Sequence, residues 1–151
     1  MVNFANDLPT IGITMGDAAG IGPEIVLRSL AGSRSAGFNT LIIGDGEHLR
    51  SVASQFDVGE VLDRENVAFD DLANLTEGFD LGTDNAVSGR ASAEYIERSV
   101  ALWREGQIDA IATAPISKKA IALGGYEFPG HTEFLAHLTN TKRFAMSFFA
   151  G

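Results

Sequence analysis

The sequence contains no cysteine, so disulfide bonds and thiolate metal sites are excluded. Its three histidines include no pair at the i, i+4 spacing of a helical metal site. Basic residues are scarce: 11 Lys and Arg stand against 20 Asp and Glu, for a formal charge of −9, and they form no run that favours nucleic-acid binding. No apolar run reaches the ~20 residues of a membrane helix, and residues 1–10 lack a signal-peptide pattern. We therefore expect a cytoplasmic enzyme or binding protein that acts on a small molecule, with neither nucleic acid nor a membrane as partner.

Short β-rich runs alternate with helical segments along the chain, which has an ordinary globular composition with 45% hydrophobic residues. Such alternation is typical of parallel strands covered by helices on both faces. We therefore predict an α/β fold, a mainly parallel sheet flanked by helices, with ligands bound beyond the carboxyl ends of its strands. In the longest predicted helix, Ala93, Ile96, Val100 and Trp103 define one apolar face. The predicted strands are 10–15, 39–45, 58–62, 66–69, 108–115 and 143–149, and the predicted helices are 23–32, 47–54, 92–105, 117–125 and 132–138.

The first predicted strand leads into the glycine-rich loop "MGDAAGIGPE", residues 15–24. Gly16, Gly20 and Gly22 permit positive φ and a close approach of a ligand to the backbone. The spacing matches neither the dinucleotide fingerprint nor the P-loop. A ligand-binding loop and a tight turn are about equally compatible with this pattern, and Asp17 is compatible with either.

A second polar loop, "TAPISKK", spans residues 113–119 after a predicted buried strand. The hydroxyls of Thr113 and Ser117, a helix N-terminus and the two lysines of this loop together predict an anion site. The alternative is that Ser117 caps the helix and the lysines are solvated, an interpretation that fits Lys119 best.

The third polar loop is "YEFPGHTEFLAHL", residues 126–138, where a Pro-Gly turn precedes a predicted helix start. Gly130 or Thr132 is the expected N-cap, which places His131 at or just outside the first turn. A positive helix end disfavours imidazolium, so we expect a neutral His131 that forms, with Thr132, a site for a phosphate or a hydroxyl group. The alternative is a solvated loop histidine. His48 stands alone in another segment and is expected to be exposed.

Three motifs, "ITMGDAAGIGPEI", "IDAIATAPISKKAI" and "YEFPGHTEFLAHLT", occur in this order. Together they resemble the N-terminal half of the 4-hydroxythreonine-4-phosphate dehydrogenase family of pyridoxal phosphate biosynthesis, which includes paralogues acting on 4-phospho-threonate or 4-phospho-erythronate. The resemblance implies a fold like that of isocitrate and isopropylmalate dehydrogenases. It also implies oxidation of a 4-phosphorylated hydroxy acid, such as 4-phosphohydroxy-L-threonine, by NAD or NADP with decarboxylation. A divalent metal (zinc, magnesium or cobalt) and a homodimer are implied as well.

The same resemblance assigns substrate binding to His131 and Thr132. Asp17, the stretch Gly20 to Gly22, and Lys118 become candidates for the wall of the cleft, while catalytic residues stay unassigned. The family's metal ligands are three histidines that lie beyond Gly151. Ala18 and Ser117 stand where the family commonly has proline and asparagine, which indicates a divergent member.

Family proteins are about twice as long as this chain, in keeping with two domains. We therefore expect a truncated protein, with residues 1–113 forming most of the first domain and 114–151 beginning the second domain, which carries the substrate site and the dimer interface. Alone, the chain is expected to be inactive. Two other hypotheses are a self-sufficient module that binds a phosphate or a sugar acid at the helix starts near Ser117 and Thr132, and an inactive fragment.

Overall fold

Four parallel strands form the sheet of this protein, whose computed structural model describes residues 4–32, 37–75 and 78–149. The strand order is β3-β2-β1-β4, so the α/β fold with a parallel sheet is confirmed. Helices connect the strands. The strands are β1 Thr10–Thr14, β2 Asn39–Gly44, β3 Val67–Asp71 and β4 Ala110–Thr113, and the helices are α1 Gly22–Gly32, α2 Gly46–Gln55, a 3-10 helix Gly59–Asp63, α3 Ala86–Arg104, α4 Lys118–Leu123 and α5 His131–Leu138.

The sheet is the centre of the main hydrophobic core. Every residue of β2 is buried, because this strand has neighbours on both sides and helices above and below. Its apolar side chains pack with those of α1, α2 and α3 in one cluster. Members with at most 1% exposure include Leu27, Leu41, Ile42, Ile43, Leu49 and Tyr95.

A second, smaller hydrophobic cluster joins α3 to α4 and α5. It contains Ala93, Ile96, Ile121 and Phe134, each at most 1% exposed. Because α3 also packs against the sheet, it fixes α4 and α5 relative to the strands. This cluster therefore holds the helices that follow β4 against α3. The proposed domain boundary at 113/114 stays a prediction.

Two predicted strands are wrong. Residues 58–62 contribute to the 3-10 helix, because Val58 and Val61 lie three residues apart and both pack on the core, a spacing that suits a tight helical turn. Residues 143–149 form no strand, since no described strand pairs with them. Their large apolar side chains are exposed, from 54% at Phe144 to 96% at Phe149.

The longest helix, α3, begins six residues before the predicted start at Ser92 (92 − 86 = 6). Asn85 caps it by accepting a hydrogen bond from the Ser88 amide at 2.8 Å. Trp103 is 47% exposed and does not share the buried face, whereas Leu102 is buried. Because α3 is covered both by the sheet and by α4 and α5, its buried surface is wider than one apolar stripe. None of the described helices is long and apolar enough to cross a membrane.

Candidate functional site

Two of the polar loops beyond the carboxyl ends of the strands contact each other. The Asp17 amide donates a hydrogen bond to the Pro115 carbonyl at 2.9 Å. Gly16 has φ +75°, and a Cβ there would collide with the same carbonyl. A Cβ on Gly22 would lie 2.5 Å from the Met15 carbonyl oxygen and 3.2 Å from that of Pro115. Both glycines are therefore required by the packing of one loop on the other.

Of these three glycines, only Gly16 adopts the positive φ that all three permit. Gly20 is exposed, and a Cβ there would meet nothing closer than 3.6 Å. The Asp17 carboxylate is buried and its Oδ1 accepts a hydrogen bond from the Ala19 amide at 3.0 Å. Asp17 thus shapes the turn, and its assignment as a cleft residue stays a prediction, as do those of Gly20 and Gly22.

The second polar loop ends in a well-capped helix. Ser117 Oγ accepts a hydrogen bond from the Ala120 amide at 3.1 Å, as predicted for an N-cap. The same hydroxyl donates to the Asp84 carboxylate, and Lys119 Nζ lies 3.4 Å from Asp84 Oδ2. Lys119 is therefore an ion-paired surface residue. No sequence pattern indicates Asp84, which lies in a region of weak patterning.

Lys118, the first residue of α4, extends toward the start of α5. Its Cε is 3.8 Å from the position that a Cβ on Gly130 would occupy, and Glu133 Oε2 is 3.6 Å from the same point. No described carboxylate lies within 4.0 Å of the Lys118 ammonium. The structure therefore brings the Lys118 ammonium beside the third polar loop, which contains His131 and Thr132.

His131 opens α5, with Gly130 as the N-cap. The side chain is half-buried, and this burial lowers the pKa of His131, while a hydrogen bond with the Ala114 backbone acts in the opposite direction. A neutral ring was expected from the helix end, and burial is the larger physical cause. Nε2 is buried without a hydrogen-bond partner. In a neutral ring, Nε2 can serve a ligand as donor or acceptor, depending on which nitrogen carries the proton. Thr132, the next residue, is also half-buried.

His48 is not exposed, contrary to expectation. Its ring packs against Phe79 with centroids 5.8 Å apart, and burial lowers the pKa of His48. Together with Asp45 and Leu75 it lines an open cleft of about 270 Å³ beyond the ends of β2 and β3. The Asp45 carboxylate is already occupied, since it accepts hydrogen bonds from the amides of His48 and Leu75 at 2.9 and 3.2 Å. None of the residues that line this cleft belongs to the loop that carries His131. No sequence pattern indicated the cleft.

The described residues do not fit a metal ion or a dinucleotide by themselves. No three His, Asp or Glu side chains among them are placed to hold a metal. The space that a pyrophosphate would need is filled by the Pro115 carbonyl at Gly16 and by the Met15 carbonyl at Gly22. No step is therefore assigned to either group within this part of the chain.

Acidification below about pH 6.5 is expected to destabilise the protein. Both His48 and His131 have a pKa below the ordinary value of 6.5 when folded, so the unfolded chain binds protons that the folded chain does not. The stability that these two histidines contribute is fully present above pH 6.5, and it is lost as pH falls from that value toward their lower folded pKa. Urea unfolding at several pH values measures the slope of the unfolding free energy against pH. It should flatten in the His48→Gln/His131→Gln double variant and persist when the exposed His137 is replaced by Gln. A double variant that keeps the slope of the parent protein would contradict the assignment of this pH dependence to His48 and His131.

Comparison with known proteins agrees with the resemblance. A sequence profile for "pyridoxal phosphate biosynthetic protein PdxA" matches residues 36–151. D-threonate 4-phosphate dehydrogenase of Cupriavidus necator is 46% identical, over 95% of this chain and 46% of that protein. The solved 4-hydroxythreonine-4-phosphate dehydrogenase of Burkholderia phymatum is 40% identical with a TM-score of 0.80, over 91% of this chain and 46% of that one. That of Klebsiella pneumoniae is 34% identical with a TM-score of 0.76, over 90% and 45%. The chain thus spans about half the length of each of these proteins.

Proposed function

The chain belongs to the pyridoxal phosphate biosynthetic protein PdxA family, and from this premise we propose that it is the substrate-binding part of an oxidoreductase acting on a 4-phosphorylated hydroxy acid. NAD or NADP accepts the hydride, and decarboxylation follows the oxidation. A divalent metal, held outside the described residues, assists the oxidation. The first substrate to test is D-threonate 4-phosphate, because the relative with 46% identity carries that name. 4-Phosphohydroxy-L-threonine is the second, because the solved structures of 40% and 34% identity are named for it.

The observation that carries the proposal is the meeting of Lys118 with the start of α5. An ammonium that forms no ion pair within 4.0 Å among the described residues, beside a helix N-terminus with free amides, suits a phosphate group. In this arrangement Lys118 acts as a point charge, and the α5 amides donate hydrogen bonds.

His131 and Thr132 are assigned to the hydroxyl groups of the acid. The Nε2 atom of a neutral His131 accepts a hydrogen bond from a substrate hydroxyl, a role open to it because it has no protein partner. The Thr132 hydroxyl, beside it on the same helix turn, can donate or accept. A neutral acceptor at this point also orients the hydroxyl whose carbon loses the hydride.

The proposal is tested by joining this chain to the remaining half of the Cupriavidus relative and assaying the chimera and the chain alone. Turnover is followed as reduced nicotinamide, with D-threonate 4-phosphate, NAD or NADP and a divalent metal. We expect the chimera to oxidise the phosphorylated acid and to ignore D-threonate, and the chain alone to give no turnover. A folded chimera without activity on either phosphorylated acid contradicts the proposal. Turnover by the chain alone contradicts the placement of metal and cofactor outside it. Micromolar binding by the chain alone, without turnover by the chimera, supports a binding module instead.

A further inference from the structure

Asp84 connects the start of α4 to the segment 80–85, which precedes α3. Its carboxylate accepts a hydrogen bond from the Ser117 hydroxyl and pairs with Lys119 at 3.4 Å. The hydrogen bond from Ser117 is the largest cause that lowers the pKa of Asp84 from its ordinary value of 3.8. The carboxylate is therefore charged at neutral pH and holds two residues of the α4 start at once.

The segment that carries Asp84 is itself fixed at two points. The Gly82 amide donates a hydrogen bond of 2.7 Å to the Ala19 carbonyl in the glycine-rich loop. Asn85 caps α3, which packs on the sheet. Asp84 is thus held between the glycine-rich loop and α3. Through its contacts with Ser117 and Lys119, it can position the start of α4 relative to both.

The two lysines at the start of α4 are directed differently. Consecutive helix residues point about 100° apart, so Lys118 and Lys119 face different partners. Asp84 pairs with Lys119, whereas Lys118 extends to Gly130 at the start of α5. Lys118 is the lysine of α4 that is left to meet an anion.

We propose that Asp84 is a positioning residue for the phosphorylated acid. By holding Ser117 and Lys119 it fixes the first turn of α4, so that Lys118 points to the start of α5. Asp84 does not touch the substrate and acts through Lys118. This inference rests on the proposed function and adds to it a residue from a segment outside the three polar loops.

The test is saturation kinetics of the chimera with D-threonate 4-phosphate. Asp84→Ala should raise KM about tenfold with little change in kcat, since a misplaced charge-assisted contact is worth about one factor of ten. Asp84→Asn keeps an acceptor for Ser117 and should raise KM less. In a Lys118→Ala background, Asp84→Ala should add little, because residues that act through one contact are not additive.

Arg98→Ala is the matched control, because it removes another partly exposed ion pair, that of Arg98 with Asp70 at 2.6 Å. It should leave KM unchanged even if it lowers thermal stability as much as Asp84→Ala does. An active chimera in which Asp84→Ala leaves KM unchanged, or in which its effect adds fully to that of Lys118→Ala, overturns this inference alone. A chimera that neither binds the acid in calorimetry nor turns it over overturns the proposed function and, with it, the role of Asp84.

Discussion

Replacing His131 with alanine in the chimera is expected to lower kcat/KM for D-threonate 4-phosphate by about tenfold to a hundredfold, the range for a lost hydrogen bond to a polar or charged group. The Nε2 atom is buried and has no protein partner, so a ligand that contacts it would supply its missing hydrogen bond. The thermal midpoint should fall by only a few degrees, since the side chain is half-buried and makes one backbone hydrogen bond.

His137→Ala is the control for this prediction. His137 lies on the same helix, is exposed, and contacts the Phe128 ring with centroids 5.1 Å apart, away from the α5 start. Its kinetics should match the parent protein. Equal losses of kcat/KM in the two variants, or none in His131→Ala, would refute a specific role for His131.

Gly89→Ala should be the most destabilising of the substitutions considered, at about 3 kcal/mol. A Cβ at Gly89 would overlap the Ala120 carbonyl of α4 and lie 2.7 Å from the Ile121 nitrogen. On the other side of the contact, a Cβ on Gly124 would lie 2.5 Å from the Arg90 nitrogen. Backbone atoms on both helices cannot move aside as a flexible side chain would. The substitution must therefore separate α3 from α4, and it should shift Lys118 with α4.

The comparison variant is Gly59→Ala, at a glycine of the 3-10 helix with open space around it and no positive φ. It should change the free energy of unfolding by less than about 1 kcal/mol. Urea denaturation of the 151-residue chain measures both variants. Equal stability of Gly89→Ala and Gly59→Ala would show that the α3–α4 contact can relax, contrary to this account.

The sequence predicted the parts of the fold that local chemistry determines. Alternating β-rich and helical runs identified the strands β1, β2 and β4, and Ser117 marked the start of α4 because a serine hydroxyl caps a helix wherever it occurs. The Pro-Gly turn likewise indicated the start of α5, which was predicted at Thr132 and begins one residue earlier, at His131. Such signals act within four residues and need no knowledge of the rest of the molecule.

The features that the sequence did not predict depend on contacts between distant segments. Asp84 reaches Ser117 across 33 positions, and no pattern near Asp84 indicates that partner. The sequence pattern around Gly22 suggested a ligand-binding loop. In the structure, the absence of a side chain at Gly22 makes room for the Pro115 carbonyl of another loop. The run 143–149 has the composition of a strand, yet a strand also needs a neighbour with which to pair.

The most direct test of the central claim is a crystal structure of the chimera with D-threonate 4-phosphate bound. The account predicts that the acid lies at the start of α5, with a hydroxyl within hydrogen-bond distance of His131 Nε2 and the phosphate beside the Lys118 ammonium. An acid bound instead in the cleft lined by His48 and Phe79, with the α5 start free of ligand, would contradict it.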